Sequence, residues 1–387
     1  MTRTLNIVAN GQPFSAYAGD LVLDAALRQG IDLPHDCRAG QCGTCLIRIV
    51  QGQFLGGETP RKGVVHACQA RVFSDAQIKF DKLPQPRTVS GVLARIETLA
   101  PDIRGLTIKL SEASRHRPGQ YCRFKFKGFP ARCFSPTSPF AGHDHKRTLR
   151  LHVKVVRGGR VSSKLGTEIQ AGHKIRVEGP FGSAFLRRGS GRRLVLVASG
   201  TGFAPIWAIA EASLRSAPNR PLLLIAGARR LTSLYMLPAF HRLSRYPAAK
   251  IIATTQEPQS VSPTIRRGTP IEHLPALAAS DLVYAAGAPA LVDAVAHAAS
   301  RAGAEFYADP FVSGSGQEEP WLVRCQAGVV AVRSRLAAWF AQDSEEDPWG
   351  YDADADPFAV SNARLSAESF RREAGGAVSG QASQWRA

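Results

Sequence analysis

The sequence predicts a multidomain chain: a small α+β unit, then an antiparallel β-barrel, then an α/β unit with a parallel sheet. Three observations predict it. Near the N-terminus Cys37, Cys42 and Cys45 form a C-x4-C-x2-C run, and Cys68 follows after 22 intervening residues. From Val89 to about Arg188, short alternating apolar runs are separated by Gly/Pro turns, the pattern of a small barrel. From Arg192 to Phe311, strand-like runs alternate with helical ones, the pattern of a doubly wound sheet. At 387 residues the chain exceeds one ordinary core.

The expected domains are 1–85, 87–188 and 189–312, followed by an extension over 313–387. In the first, Leu5–Val8 and Phe14–Tyr17 form a hairpin, and Asp20 caps a short helix through Gln29 that Gly30 ends. The cysteine loop, strand Leu46–Val50 and a last strand around Gln77–Phe80 complete it. Leu83–Arg87, with two prolines, reads as a linker. Barrel strands are expected at Val92–Ile96, Leu106–Leu110, Tyr121–Phe126, Leu149–Val155 and Lys174–Glu178. In the α/β unit, Leu194–Ala198 precedes helix Ala204–Arg215, and Leu222–Ile225 precedes helical Ser233–Leu243. Lys250–Thr254 follows, and Leu282–Ala285 leads into helix Ala290–Arg301. In the extension, Trp321–Gln342 reads as an amphipathic helix, 343–356 is acidic, and the remainder is a disordered Ser/Ala/Gly-rich stretch. There is no internal repeat.

The net charge of +18 is unevenly spread, with 21 basic against 6 acidic residues over 86–190. No helix-turn-helix, zinc-finger or RNA-recognition pattern accompanies it, so nucleic acid is not the expected partner; an acidic redox partner or phosphorylated cofactors are. Apart from the quartet, Cys122, Cys133 and Cys325 are expected as reduced thiols, which suits a cytoplasmic protein. The N-terminus shows no signal peptide. Leu194–Ala210 approaches membrane-spanning length, but Ser199-Gly200-Thr201-Gly202 and Pro205 break it.

The three-plus-one cysteine spacing is that of a plant-type [2Fe–2S] site, with Ala39, Gly40, Gly43 and Thr44 small enough for the loop to curl around a cluster. The rival, structural zinc, more often presents paired C-x2–4-C ligands. The turn Ser199-Gly200-Thr201-Gly202-Phe203-Ala204-Pro205 between strand and helix suits a pyrophosphate, because free N–H groups and the helix dipole point at it.

These motifs in this order resemble the reductase components of bacterial ring-hydroxylating oxygenases, within the ferredoxin–NADP reductase superfamily. The resemblance covers roughly residues 3–312. It implies a ferredoxin (β-grasp) domain with Cys37, Cys42, Cys45 and Cys68 as cluster ligands, an FAD-binding barrel and an NAD(P)H-binding domain. Arg132-Cys133-Phe134-Ser135 resembles the R-x-Y-S flavin motif: Arg132 faces an FAD phosphate, Phe134, in place of the usual Tyr, stacks on the isoalloxazine, and Ser135 lies near N5. Pro118-Gly119-Gln120-Tyr121 and Gly179-Pro180-Phe181-Gly182 stand where the family has them. His152, Val153 and Lys154 match the flavin-binding strand, and Gly158, Gly159, Val161 and Ser162 its pyrophosphate turn. Gly200, Thr201, Gly202 and Pro205 match G-T-G-x-A-P, Arg229 lies where the 2′-phosphate of NADPH is distinguished from NADH, and Gly287 belongs to a C-G-x-P motif with Ala286 at the cysteine. Phe311 in Phe306–Phe311 is the aromatic over the flavin. His66 and His152 also admit a purely structural role, and Cys122 and Cys133 that of small buried hydrophobes. The implied activity is electron transfer from NADH or NADPH through FAD to [2Fe–2S] and on to an oxygenase or ferredoxin. A reductase serving sugar-nucleotide deoxygenation and a non-catalytic redox sensor are the alternatives.

Overall fold

The computed structural model describes residues 4–142, 146–187, 191–257 and 265–311. The expectations for 313–387, including Trp321–Gln342, the acidic 343–356 and Cys325, lie outside the described residues.

Strict alternation builds the first sheet. Strand Thr4–Ala9 buries Leu5, Ile7 and Ala9 on one side and pairs antiparallel with Gln12–Tyr17. Ala76–Lys79 adds in parallel, and Leu46–Gln51 and Val64–His66 complete a five-stranded mixed sheet. Helix Val22–Arg28 sets Val22, Leu23, Ala25 and Ala26 into the same core. Asp20 is not its cap: the helix follows Leu21 with no side-chain cap hydrogen bond. The Asp20 carboxylate instead accepts the Tyr17 N–H at 3.1 Å and pairs with Arg28, a cation in the helix's last turn.

The second sheet is antiparallel and six-stranded, in the order Arg132–Phe134, Tyr121–Phe126, Lys174–Phe181, Arg87–Ala100, Ile103–Leu110, Thr148–Lys154. Thr137, three residues past the Arg132–Phe134 strand, forms an isolated bridge to Arg150 of the opposite outer strand, with a backbone bond of 2.9 Å, so the sheet curls round on itself. Phe124, Phe126, Leu151 and Val177 point inward, and Lys and Arg alternate outward.

The third sheet is wholly parallel: Ile265–Arg267, Ala249–Thr255, Leu222–Ala228, Leu194–Ser199, Leu282–Gly287, Glu305–Pro310. Its continuous apolar strands are covered on both faces, by helix Phe203–Ser216 on one and Pro289–Arg301 on the other. The chain reverses direction across the sheet between Leu194–Ser199 and Leu282–Gly287, which places a ligand crevice at their C-terminal ends. The helix expected over Ser233–Leu243 is shorter, Leu237–Leu243, after a 3-10 turn at Leu231–Ser233. Pro238 explains the late start, because its missing N–H is harmless only in a first turn.

Candidate redox site

The cysteine loop bends through left-handed positions at Arg38, Gly40 and Gly43. That curl turns the Ala39 and Cys42 N–H groups onto Cys37 Sγ, both at 3.4 Å. The sulfurs stand as two pairs. Cys45 Sγ lies 3.4 Å from Cys68 Sγ, and the Cys42 thiol donates to Thr44 Oγ1 at 3.2 Å; interaction between the Cys37 and Cys42 side chains pushes the Cys37 thiol down to about 5 and Cys42 well up. The same kind of interaction lowers Cys68 to about 7 and raises Cys45. Among the described residues no three such side chains are arranged to hold a single ion. Two pairs of thiols with amide donors and small neighbours fit a two-iron cluster, which needs two thiolates per iron.

A cavity of about 1180 Å³ lies at the meeting of the three sheets. Cys37 and Cys42 reach it from the first, and Cys45 and Cys68 are buried behind them. From the second sheet come Arg132, Phe134, Ser135, His152, Val153, Lys154, Gly159, Val161 and Ser162. From the third come Gly200, Thr201, Arg229, Gly287 and Phe311. Gly158, Gly202 and Pro205 do not line it. Gly158 turns the adjacent loop at φ +73°. Pro205 is buried in the first turn of Phe203–Ser216. Gly202 is a spacer: a Cβ there would stand 2.3 Å from Ala286 O and 2.5 Å from Gly287 Cα. Cys133, expected to be buried, is exposed, whereas Cys122 is buried; register explains it, because Cys133 opposes outward Arg123 and Cys122 points inward.

The cavity wall carries five cations, Arg132, Lys154, Arg157, Arg160 and Arg229, against two carboxylates, Asp36 and Asp309. Asp36 is bound by Arg123, and burial pushes Asp309 up to about 6. The field therefore favours anionic, pyrophosphate-bearing ligands. Ser135 Oγ donates to Asp309 at 2.6 Å. Thr137 donates to Ala204 O at 2.7 Å, and Trp207 donates to Ser138 O at 2.9 Å, so one barrel segment is tied to the parallel-sheet unit three times. His152 is held by Tyr235 at 3.2 Å, and burial lowers it to about 3, so it stays neutral.

Sequence reasoning gave no role to Asp36, Tyr121, Arg123 or Asp309, although Tyr121 and Asp309 lie in segments it quoted. Tyr121 donates to Asp36 at 2.6 Å, and Arg123 bridges Asp36 and Glu178, the latter at 2.7 Å. Thr44 Oγ1 accepts the Gly182 N–H at 3.2 Å. These bonds hold the cysteine loop against the barrel. Burial raises the Tyr121 phenol strongly, keeping it a neutral donor. Asp36 precedes the first ligand and Asp309 sits in the segment read only for its aromatics; their positions were the available signal.

Three families match in the predicted order: 2Fe-2S iron-sulfur cluster binding domain over residues 7–73, oxidoreductase FAD-binding domain over 90–185, and oxidoreductase NAD-binding domain over 196–297. The chain is 31% identical over 318 residues to the ferredoxin–NAD(P)+ reductase component of naphthalene 1,2-dioxygenase/salicylate 5-hydroxylase systems of Ralstonia, covering 77% of this chain and 95% of that one. It is 31% identical over 335 residues to reductase component 2 of terephthalate 1,2-dioxygenase of Comamonas, covering 81% and 98%. A solved cytochrome P450 reductase from Amycolatopsis superposes with a TM-score of 0.57 at 26% identity, covering 80% and 99%. Neither the sugar-nucleotide reductase nor the non-catalytic sensor is favoured by these likenesses. With cluster, FAD and NAD domains in one chain and a cavity joining them, the protein belongs to the family of NAD(P)H-dependent [2Fe–2S]/FAD reductase components of oxygenase systems, and it carries electrons from NAD(P)H via FAD to a [2Fe–2S] centre.

Proposed function

We propose the following division of labour within the family's reaction. Residues 1–85 form the cluster domain, 87–188 the FAD domain and 189–312 the NAD(P)H domain. Cys37 with Cys42 and Cys45 with Cys68 hold one iron each. Arg132 binds an FAD phosphate, Phe134 stacks on the isoalloxazine, and His152, Val153, Lys154, Gly159, Val161 and Ser162 bind the rest of the flavin nucleotide, with Gly158 turning the loop that carries Gly159. Gly200, Thr201 and Gly202 with Pro205 present the pyrophosphate turn, Gly287 lets the nicotinamide approach, Phe311 covers the flavin, and Arg229 faces the adenosine ribose. The bound cofactors supply the conversion of a hydride's electron pair into single electrons. The chain's own part at the reacting end is Ser135, whose hydroxyl is oriented by Asp309.

The acceptor is a terminal oxygenase or its ferredoxin, as in the named relatives, and the free state of the six described cysteines suits a reducing cytoplasm. No described helix is long and apolar enough to cross a membrane. The observation that carries the assignment is the single cavity lined by Cys37 and Cys42, by Arg132–Ser135 and by Gly200–Thr201. Cys45→Ser tests it: NADH still reduces the flavin, but an oxygenase or ferredoxin acceptor receives no electrons. Wild-type transfer to such an acceptor in that variant contradicts the assignment.

A further inference from the structure

The outward face of the antiparallel sheet continues beyond the point where the cysteine loop rests on it. Arg123 and Glu178, paired across neighbouring strands, form its first row, and Asp36 of the loop is docked on that row. In the next row Lys125 stands directly opposite Arg176. In the row after that, Lys127 donates its N–H to Lys174 O, Lys174 opposes Val92, and Val92 opposes Lys109. All five cations are exposed, and none pairs with an acid among the described residues. Val92, in their midst, is a large apolar side chain left 41% exposed.

A merely solvated sheet face mixes signs, because like charges directly opposite each other destabilise the pairing. Here the chain sets cation against cation in the two rows left uncovered. In the row that is covered it uses an acid, Asp36, to seat the cluster loop. An exposed apolar residue ringed by charge is the make-up of a protein interface, with a small apolar centre and a polar rim. At about 3.3 Å per residue, Lys125 and Lys127 lie only roughly 7 and 13 Å along the strand from Arg123, which itself contacts the residue before ligand Cys37. Cys37, Arg38, Ala39 and Gln41 at the neighbouring edge of the loop are exposed.

We propose that this face, Lys125, Arg176, Lys127, Lys174 and Lys109 around Val92, docks an acidic electron-accepting protein and sets it beside the cluster loop. The inference rests on the electron-transfer function. One electron leaves the reduced cluster for the partner's oxidised centre, with no bond made and no proton moved. Duplex DNA and anionic membrane are the competing polyanions.

The test uses the full-length holoprotein and an acidic [2Fe–2S] ferredoxin as acceptor. Lys125→Glu/Arg176→Glu and Lys127→Glu/Lys174→Glu reverse the two rows, and Lys125→Gln/Arg176→Gln neutralises one. Stopped-flow reduction of the protein's own cluster by NADH reads folding and internal transfer; it stays at the wild-type rate, and its loss in wild-type protein would refute the function rather than the docking. The rate constant for ferredoxin reduction at low salt falls about tenfold in each reversal and less in the neutral variant, and its decline with added salt flattens. Unchanged ferredoxin rate and salt slope with internal reduction intact overturn the proposal. So does a reversal that abolishes binding to duplex DNA or to phosphatidylserine vesicles while ferredoxin reduction is unaffected.

Discussion

Gly202→Ala tests the proposed nicotinamide crevice where backbone meets backbone. The added methyl would lie 2.3 Å from Ala286 O, 2.4 Å from Ala286 C and 2.5 Å from Gly287 Cα. All three are backbone atoms, so no side chain can swing away. Ordinary contact needs roughly 1 Å more. The C-terminal ends of strands Leu194–Ser199 and Leu282–Gly287 must therefore part by about that distance. Overpacking of this kind costs about 1–3 kcal/mol of stability, and a misplacement of about 1 Å in a reacting pair costs on the order of 100-fold in rate, or about 2.7 kcal/mol. The assay is stopped-flow bleaching of the flavin by NADH, beside cluster reduction by dithionite, which bypasses the crevice. Flavin reduction falls about 100-fold, dithionite reduction is unchanged, and the melting temperature drops by a few degrees. Wild-type hydride transfer in a folded Gly202→Ala protein would refute the reasoning, because the close approach would then not set the coenzyme's position.

Three further outcomes follow from named contacts. Asp36→Ala removes charge-assisted bonds worth roughly 1.5–3 kcal/mol each from Tyr121 and Arg123; passage of electrons from flavin to cluster slows at least about tenfold in stopped flow, with flavin reduction by NADH unchanged. Asp309 has its folded pKa raised from 3.8 to about 6 by burial, so the folded state holds the extra proton between those values. Stability from this group therefore falls as pH rises through that window and is flat above it. The unfolding free energy of wild type, taken relative to that of Asp309→Asn, falls by about 2 kcal/mol from pH 4 to pH 6. Arg229→Ala lowers kcat/KM for NADPH about tenfold more than for NADH, because only the former brings a phosphate for the guanidinium to meet; equal losses would remove Arg229 from the ribose site.

The three sheets were legible because the strands of the first two alternate apolar with polar residues, whereas those of the third are apolar throughout. Leu5, Ile7 and Ala9 alternate, Leu194–Val197 are uniformly apolar, and the barrel strands alternate Phe124 and Phe126 with Arg123 and Lys125. The residues that touch the cofactor cavity were legible where a motif is contiguous, as at Arg132–Ser135 and Gly200–Thr201. What stayed hidden depends on contacts between distant segments. Asp36 meets Tyr121 and Arg123 from some 85 residues away, and Ser135 meets Asp309 across 174. No periodicity records such a pairing. Asp20 was misjudged for the opposite reason: it has the right chemistry for a cap, but a nearer cation, Arg28, takes its carboxylate. Short elements were also lost, since Ile265–Arg267 and Leu231–Ser233 span three residues each and leave no repeat to detect.

The most direct measurement is electron paramagnetic resonance of the anaerobic full-length protein after addition of one equivalent of NADH. A rhombic signal of a reduced [2Fe–2S] cluster, with two irons and two acid-labile sulfides per chain, is the predicted result. Flavin that bleaches with no such signal, or a quartet of thiols that holds one zinc and no sulfide, would contradict it.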